Sequence, residues 1–185
     1  VAFPSLQALL GPGDWEEAER RLLESGLSRE KAQALLAHYR KGVPDPKRAW
    51  GEVQTDLTLL CPSLKAARLQ APHAPTYAYL FTFRAPGWEG LGAFHGLELA
   101  PLFGNLLERP FLPLFLRQEA QEEAEYLGKK MRRYWTSFAK DGEPKGWPRW
   151  PLYRGGHPLR LDVPLGLLPD LYEERCGALE VLGLL

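Results

Sequence analysis

"TYAYLFTFRAPGWEGLGAFHGLELAPLFGN", residues 76–105, passes from a run of aromatic and apolar residues into a glycine-rich loop with a single histidine, and then into a short helical pattern. Tyr77, Tyr79, Phe81 and Phe83 alternate with Ala78, Leu80 and Thr82, so the segment 75–83 is apolar on both faces. That is the pattern of a strand buried inside a sheet rather than lying on one. In "GAFHGLEL", Gly92 and Gly96 lie on either side of His95. Glycines there let the backbone turn tightly and approach other segments closely, as a catalytic histidine loop needs and an ordinary loop merely tolerates. From position alone His95 has two readings, a loop residue or a proton-transfer group.

The rest of the chain reads mostly as helix. "GDWEEAERRLLESG" opens on an Asp cap with an acidic first turn, and "LSREKAQALLAHYRKG" opens on Ser28 and stops at Gly42. In the second segment Ala32, Leu35, Leu36 and Tyr39 share a face, with His38 at its border as a structural residue. A helical pattern continues over residues 46–70, and Pro62 predicts a break or kink within it. A short helix is expected from Leu97, a long one through "RQEAQEEAEYLGKKMRRYWTSFAK", then a Pro/Trp-rich loop, a short strand "PLRLDV" and a closing amphipathic segment. One buried-looking strand and one short strand cannot complete a sheet, because a central strand needs partners on both edges. A missing preceding segment or a second copy of the chain, pairing through the strand at 75–83, is the expected partner. The start at Val1 rather than Met favours the preceding segment.

With 185 residues, 45% of them hydrophobic, the chain can bury the core of one domain. Lys plus Arg and Asp plus Glu both total 23, leaving no net field for nucleic acid or an anionic membrane. No apolar run approaches the ~20 residues of a membrane span, and no signal-peptide pattern opens the chain, so the sequence reads as soluble and cytoplasmic. Two cysteines, Cys61 and Cys176, are too few for a disulfide scaffold and lack the spacing of a zinc site. No metal or cofactor is implied.

Four stretches in order, "TYAYLFTF", "GAFHGLELAPLFGN", "MRRYWTSFAKDGEP" and "WPRWPL", with "CPSLKAARLQA" ahead and "LRLD" and "RC" behind, resemble the C-terminal portion of type-B carboxylesterases, the family that includes the cholinesterases. The resemblance is strongest over residues 51–178. It implies an α/β fold, the C-terminal part of an α/β-hydrolase, mostly helical with an incomplete sheet, as one partial domain over 1–185. In that plan the triad runs Ser, then Asp or Glu, then His along the chain, with the histidine on a loop after a late strand. By the resemblance His95 is the triad histidine and Glu98 a carboxylate just outside it. Glu98 also reads as an acid at a helix N-terminus, and both readings stand. Phe94, Trp88 or Phe103 are candidates to line a pocket for a small ester, whereas Tyr134, Trp135 and Phe138 read as core and "WPRW" as a loop anchored by its indoles. His73 and His157 have no assigned role. Cys61 and Cys176 coincide with a cholinesterase disulfide, which implies Cα atoms within about 7 Å.

None of Ser5, Ser25, Ser28, Ser63 and Ser137 lies in a Gly-x-Ser-x-Gly elbow, and the triad acid and oxyanion-hole segment have no counterpart in the chain. The expectation is therefore a carboxylesterase-like fragment that carries one triad member and is inactive alone. The alternative is a noncatalytic interaction domain of the same family.

Overall fold

The computed structural model describes residues 11–84, 92–94, 96–104, 118–154 and 156–185. The chain forms two compact units, one from residues 2–66 with 171–185 and one from residues 67–170.

The first unit is helical. In α1 (Trp15–Glu24) the Asp14 carboxylate accepts the Glu17 N–H at 2.8 Å, and in α2 (Arg29–Gly42) the Ser28 hydroxyl oxygen accepts the Lys31 N–H at 3.3 Å. Each cap satisfies an amide that the helix itself leaves unpaired. α3 (Pro46–Thr55) starts on a proline behind Asp45. Buried Ala18 and Leu22, then Ala32, Leu35, Leu36 and Tyr39, then Ala49 and Val53 repeat every three or four residues, giving each helix one apolar stripe.

Pro62 does break the helical pattern, through a π-turn over Asp56–Leu60 that separates α3 from α4 (Cys61–Gln70). Proline has no N–H for the Thr58 carbonyl, and in a regular helix its ring would crowd that carbonyl. The wider turn, in which the Cys61 N–H donates to the Asp56 carbonyl, moves the backbone aside. A second π-turn, Tyr172–Cys176, leads into α7 (Gly177–Val181). A disulfide joins Cys61 to Cys176 with Cα atoms 5.5 Å apart.

The second unit holds the sheet. β1 (Tyr79–Phe81) pairs in parallel with β2 (Leu159–Leu161), and β2 pairs antiparallel with β3 (Gly166–Leu167). β1 is shorter than the 75–83 expected from sequence, although the Tyr153 N–H to Thr76 carbonyl and Thr82 N–H to Leu161 carbonyl bonds extend its pairing. Burial is also one-sided at its start: Leu80, Phe81 and Phe83 are buried, but Tyr79 is 43% exposed. The long α6 (Gln118–Asp141) presents Ala120, Ala124, Leu127, Met131 and Tyr134 to the same core as Phe81, Leu159 and Leu161.

Trp150 is the aromatic hub of this unit. Its indole N–H donates to the Ala78 carbonyl at 3.0 Å, and the rings of Tyr77, Tyr79, Tyr134 and Trp135 surround it at centroid distances of 5.5–6.1 Å. Gly146 has to be glycine, because a Cβ there would meet the Tyr134 ring at 2.4 Å. Two expectations are corrected here. Phe138 is half exposed rather than core, and of the two indoles in "WPRW" only Trp150 anchors the loop, Trp147 being 78% exposed.

Candidate active site

His95 lies outside the described residues, as does Trp88, but both flanks of the histidine are described. Gly92 has φ +62° and Gly96 φ +85°, the left-handed region in which a side chain is strained. Between and beyond them Ala93 and Leu97 are almost completely buried in the core against α6, with Phe94 packed at its edge. The Leu97 N–H donates to the Phe94 carbonyl at 3.1 Å, and the chain then enters α5 (Leu99–Phe103). The segment is therefore pinned on both sides of position 95.

The pinning continues through α5. A helix of five residues leaves most of its carbonyls without internal partners. Gly104, at φ +69°, returns its N–H to the Ala100 carbonyl, and the Arg132 guanidinium from α6 donates to the Pro101 and Leu102 carbonyls at 2.8 and 3.0 Å. α5 rests directly on Gly128 of α6, where an added Cβ would meet the Pro101 carbonyl oxygen at 2.0 Å. Sequence reading missed Arg132. The signal available to it was an arginine four residues after a glycine on a long helix, which is weak by itself.

Glu98 sits at the N-cap of α5 without a side-chain cap hydrogen bond. Its charge, after burial, helps push the Tyr79 phenol above its ordinary range. Phe103 is 70% exposed, and neither it nor Phe94 lines the apolar cavity of about 190 Å³ formed by Tyr77, Tyr79, Tyr134, Trp135, Phe138, Pro144 and Trp150. Among the described residues no serine, threonine, cysteine or lysine lines that cavity. Among the described residues no three His, Cys, Asp or Glu side chains gather where a metal could be held, and no helix is long and apolar enough to cross a membrane. His38 is exposed with its ring edge-on to Tyr39, and His157 Nδ1 lies 2.8 Å from the Leu168 carbonyl oxygen.

The helical unit holds a charged cluster that the sequence reading did not single out. Asp56 is fully buried, and its Oδ2 accepts from the Tyr39 hydroxyl at 2.7 Å and from Arg175 Nε and Nη2 at 3.1 and 2.9 Å. Glu52 accepts from the same guanidinium at 3.3 Å. Burial pushes the Asp56 carboxyl above its usual range against the pull of Arg175 and Tyr39. An acid at an apolar-periodic position, between Val53 and Leu60, was the available clue.

The profile of the carboxylesterase family matches residues 15–165. The chain belongs to the carboxylesterase family. Within it, the chain is 33% identical over 129 residues to a cocaine esterase of Oryctolagus cuniculus, covering 64% of this chain and 23% of that protein. It is 32% identical over 136 residues to an acetylcholinesterase of Gallus gallus, covering 66% of this chain and 17% of that protein. The chain thus spans about a fifth of the length of these relatives. EstA of Aspergillus niger superposes with a TM-score of 0.75 at 16% identity, over 95% of this chain and 38% of EstA, which identifies the fold as the α/β-hydrolase fold.

Proposed function

We propose that this chain supplies the histidine of a Ser-His-Glu esterase site, with His95 taking the nucleophile's proton and then returning it to the leaving alcohol, and that it turns over no ester without a nucleophile and an acid from further hydrolase sequence. The observation that carries this reading is the pinned loop: left-handed glycines at 92 and 96 and buried Ala93 and Leu97 bracket position 95 in a carboxylesterase-family chain. A base must be held within hydrogen-bond reach of its nucleophile, and a segment fixed on both sides is suited to that.

Three of the chain's serines have structural uses. The Ser25 hydroxyl donates to the Leu22 carbonyl, Ser28 caps α2, and Ser137 donates to the Arg133 carbonyl while accepting the Lys145 N–H. The relatives' names support a carboxylic ester as the substrate class. β1 supports a partner. In parallel pairing, alternate residues bond to opposite sides. Ala78 and Thr82 bond toward β2, so the backbone groups of Tyr79 and Phe81 face the edge of the sheet that is open among the described residues. We assign that edge to a strand of the remaining hydrolase, with a second copy of this chain as the competing occupant.

The test is hydrolysis of p-nitrophenyl acetate by the 185-residue chain alone and mixed with a polypeptide carrying the elbow serine and acid of a carboxylesterase. Saturable turnover is expected only from the mixture. Saturable turnover by the chain alone would contradict the proposal.

A further inference from the structure

We propose that the Asp56–Arg175 ion pair is the template for the Cys61–Cys176 disulfide: it holds the two cysteine-bearing turns together in the dithiol chain, so that oxidation closes a link already in register. The two sides share one geometry. The first π-turn begins at Asp56 and delivers Cys61, whose N–H donates to the Asp56 carbonyl, so one hydrogen-bonded ring contains both the charged residue and the cysteine. The second π-turn ends on Cys176 with Arg175 immediately before it. A guanidinium nitrogen 2.9 Å from a carboxylate oxygen therefore stands beside two Cα atoms 5.5 Å apart, within the reach of a disulfide.

The cysteines are 115 residues apart, and an unstructured loop of that length seldom brings its ends together. The ion pair does so without a covalent bond. Arg175 donates twice to Asp56 Oδ2, the Tyr39 hydroxyl donates to the same oxygen, and Glu52 accepts from the guanidinium, so the arrangement is directional rather than a diffuse attraction. Opening it strands a fully buried carboxylate, which penalises every register but this one.

With glutathione disulfide as the oxidant, one cysteine thiolate attacks a glutathione sulfur, breaks that S–S bond and releases glutathione thiolate. The other cysteine thiolate then attacks the protein sulfur of the mixed disulfide and expels the second glutathione. Two protons leave the protein thiols and two electrons reduce glutathione disulfide to two glutathiones. The second attack is intramolecular, and it is the step the ion pair assists.

The experiment equilibrates the 185-residue chain in glutathione redox buffers under conditions where the reduced chain stays folded, then traps thiols by alkylation to obtain the effective concentration of one cysteine for the other. An Asp56→Asn/Arg175→Met variant removes both charges together, and Leu35→Ala weakens the same unit's core as a control for general destabilisation. The double variant is expected to lower the effective concentration about tenfold or more and Leu35→Ala by less than about threefold. An unchanged value in the double variant, or an equal loss in Leu35→Ala, overturns the proposal. A second measurement needs no charge variant: in a Cys61→Ser/Cys176→Ser chain, amides 172–181 should remain protected from hydrogen exchange, and exchange at unstructured rates there would overturn it as well.

Discussion

Replacing Gly128 by alanine should destabilise the unit that holds the histidine segment, although alanine is the better helix former by about 1 kcal/mol. The new Cβ would lie 2.0 Å from the Pro101 carbonyl oxygen, 2.8 Å from its carbon and 3.0 Å from Arg132 Nη1, where ordinary contact begins at 3.4 Å. A backbone carbonyl has no rotamer to change, so α5 must retreat by more than an ångström. Overpacking of this kind costs about 1–3 kcal/mol. The retreat also weakens the two charged hydrogen bonds from Arg132 to α5, each worth about 1.5–3 kcal/mol when lost outright. After the propensity gain, a net loss of about 3 kcal/mol remains, or a Tm about 6–12 °C lower for a chain of this size. Thermal unfolding by circular dichroism measures it, with Gly177→Ala as the control. Gly177 is helical with φ −56°, and nothing lies within 4 Å of its virtual Cβ, so alanine there should be neutral or mildly stabilising. A Gly128→Ala chain that melts at or above the parent would refute the close packing of α5 on α6.

Other expected outcomes are as direct. Tyr39, Tyr79, Tyr134 and Tyr153 all have phenol ionisation raised chiefly by burial, Tyr134 to about 12, against 10.0 for an unfolded tyrosine. A raised folded value gives stability that is complete below pH 10 and is lost as pH rises through the folded values, by at most about 1.4 kcal/mol per pH unit for each of the buried Tyr39, Tyr134 and Tyr153, with Tyr79, 43% exposed, adding less. Urea unfolding at pH 9, 10.5 and 11.5 should therefore show a steep decline above 10, and a flat profile would contradict the burial. Trp150→Ala should cost about 3–5 kcal/mol by emptying the aromatic hub, whereas Trp147→Ala should be near neutral; equal effects in urea unfolding would refute the assignment of one anchoring indole. The edge of β1 that is open among the described residues should make the chain alone associate with concentration, and light scattering that reports a stable monomer at high concentration would count against that.

Local physics made part of this fold legible from the sequence. Asp14 and Ser28 were readable as helix caps because a cap needs only the amides two or three residues ahead. Pro62 marked the break for a similar reason, but the sequence did not show that a π-turn would absorb it, because a turn of five residues leaves no period of its own to read. β3, two residues long, is too short to show any period. Phe138 continues the spacing of Met131 and Tyr134, yet it is half exposed near the end of α6, and no periodicity shows where the sheet beneath a helix stops. Trp147 and Trp150 stand in nearly the same composition, and what separates them is the long-range setting of Trp150, its hydrogen bond to the Ala78 carbonyl and the four rings packed around it. The site divides in the same way. The wording around His95 carried the family resemblance, whereas the role of Arg132 in holding α5 depends on a contact 30 residues away.

The role of His95 is tested most directly by the turnover of p-nitrophenyl acetate by the assembled mixture, in material that co-purifies, with the parent chain and with His95→Ala. The substitution is expected to leave assembly and KM close to the parent and to lower kcat by a factor of about a thousand or more, as loss of a triad base does. An assembled His95→Ala mixture that hydrolyses the ester at the parent rate would contradict that role.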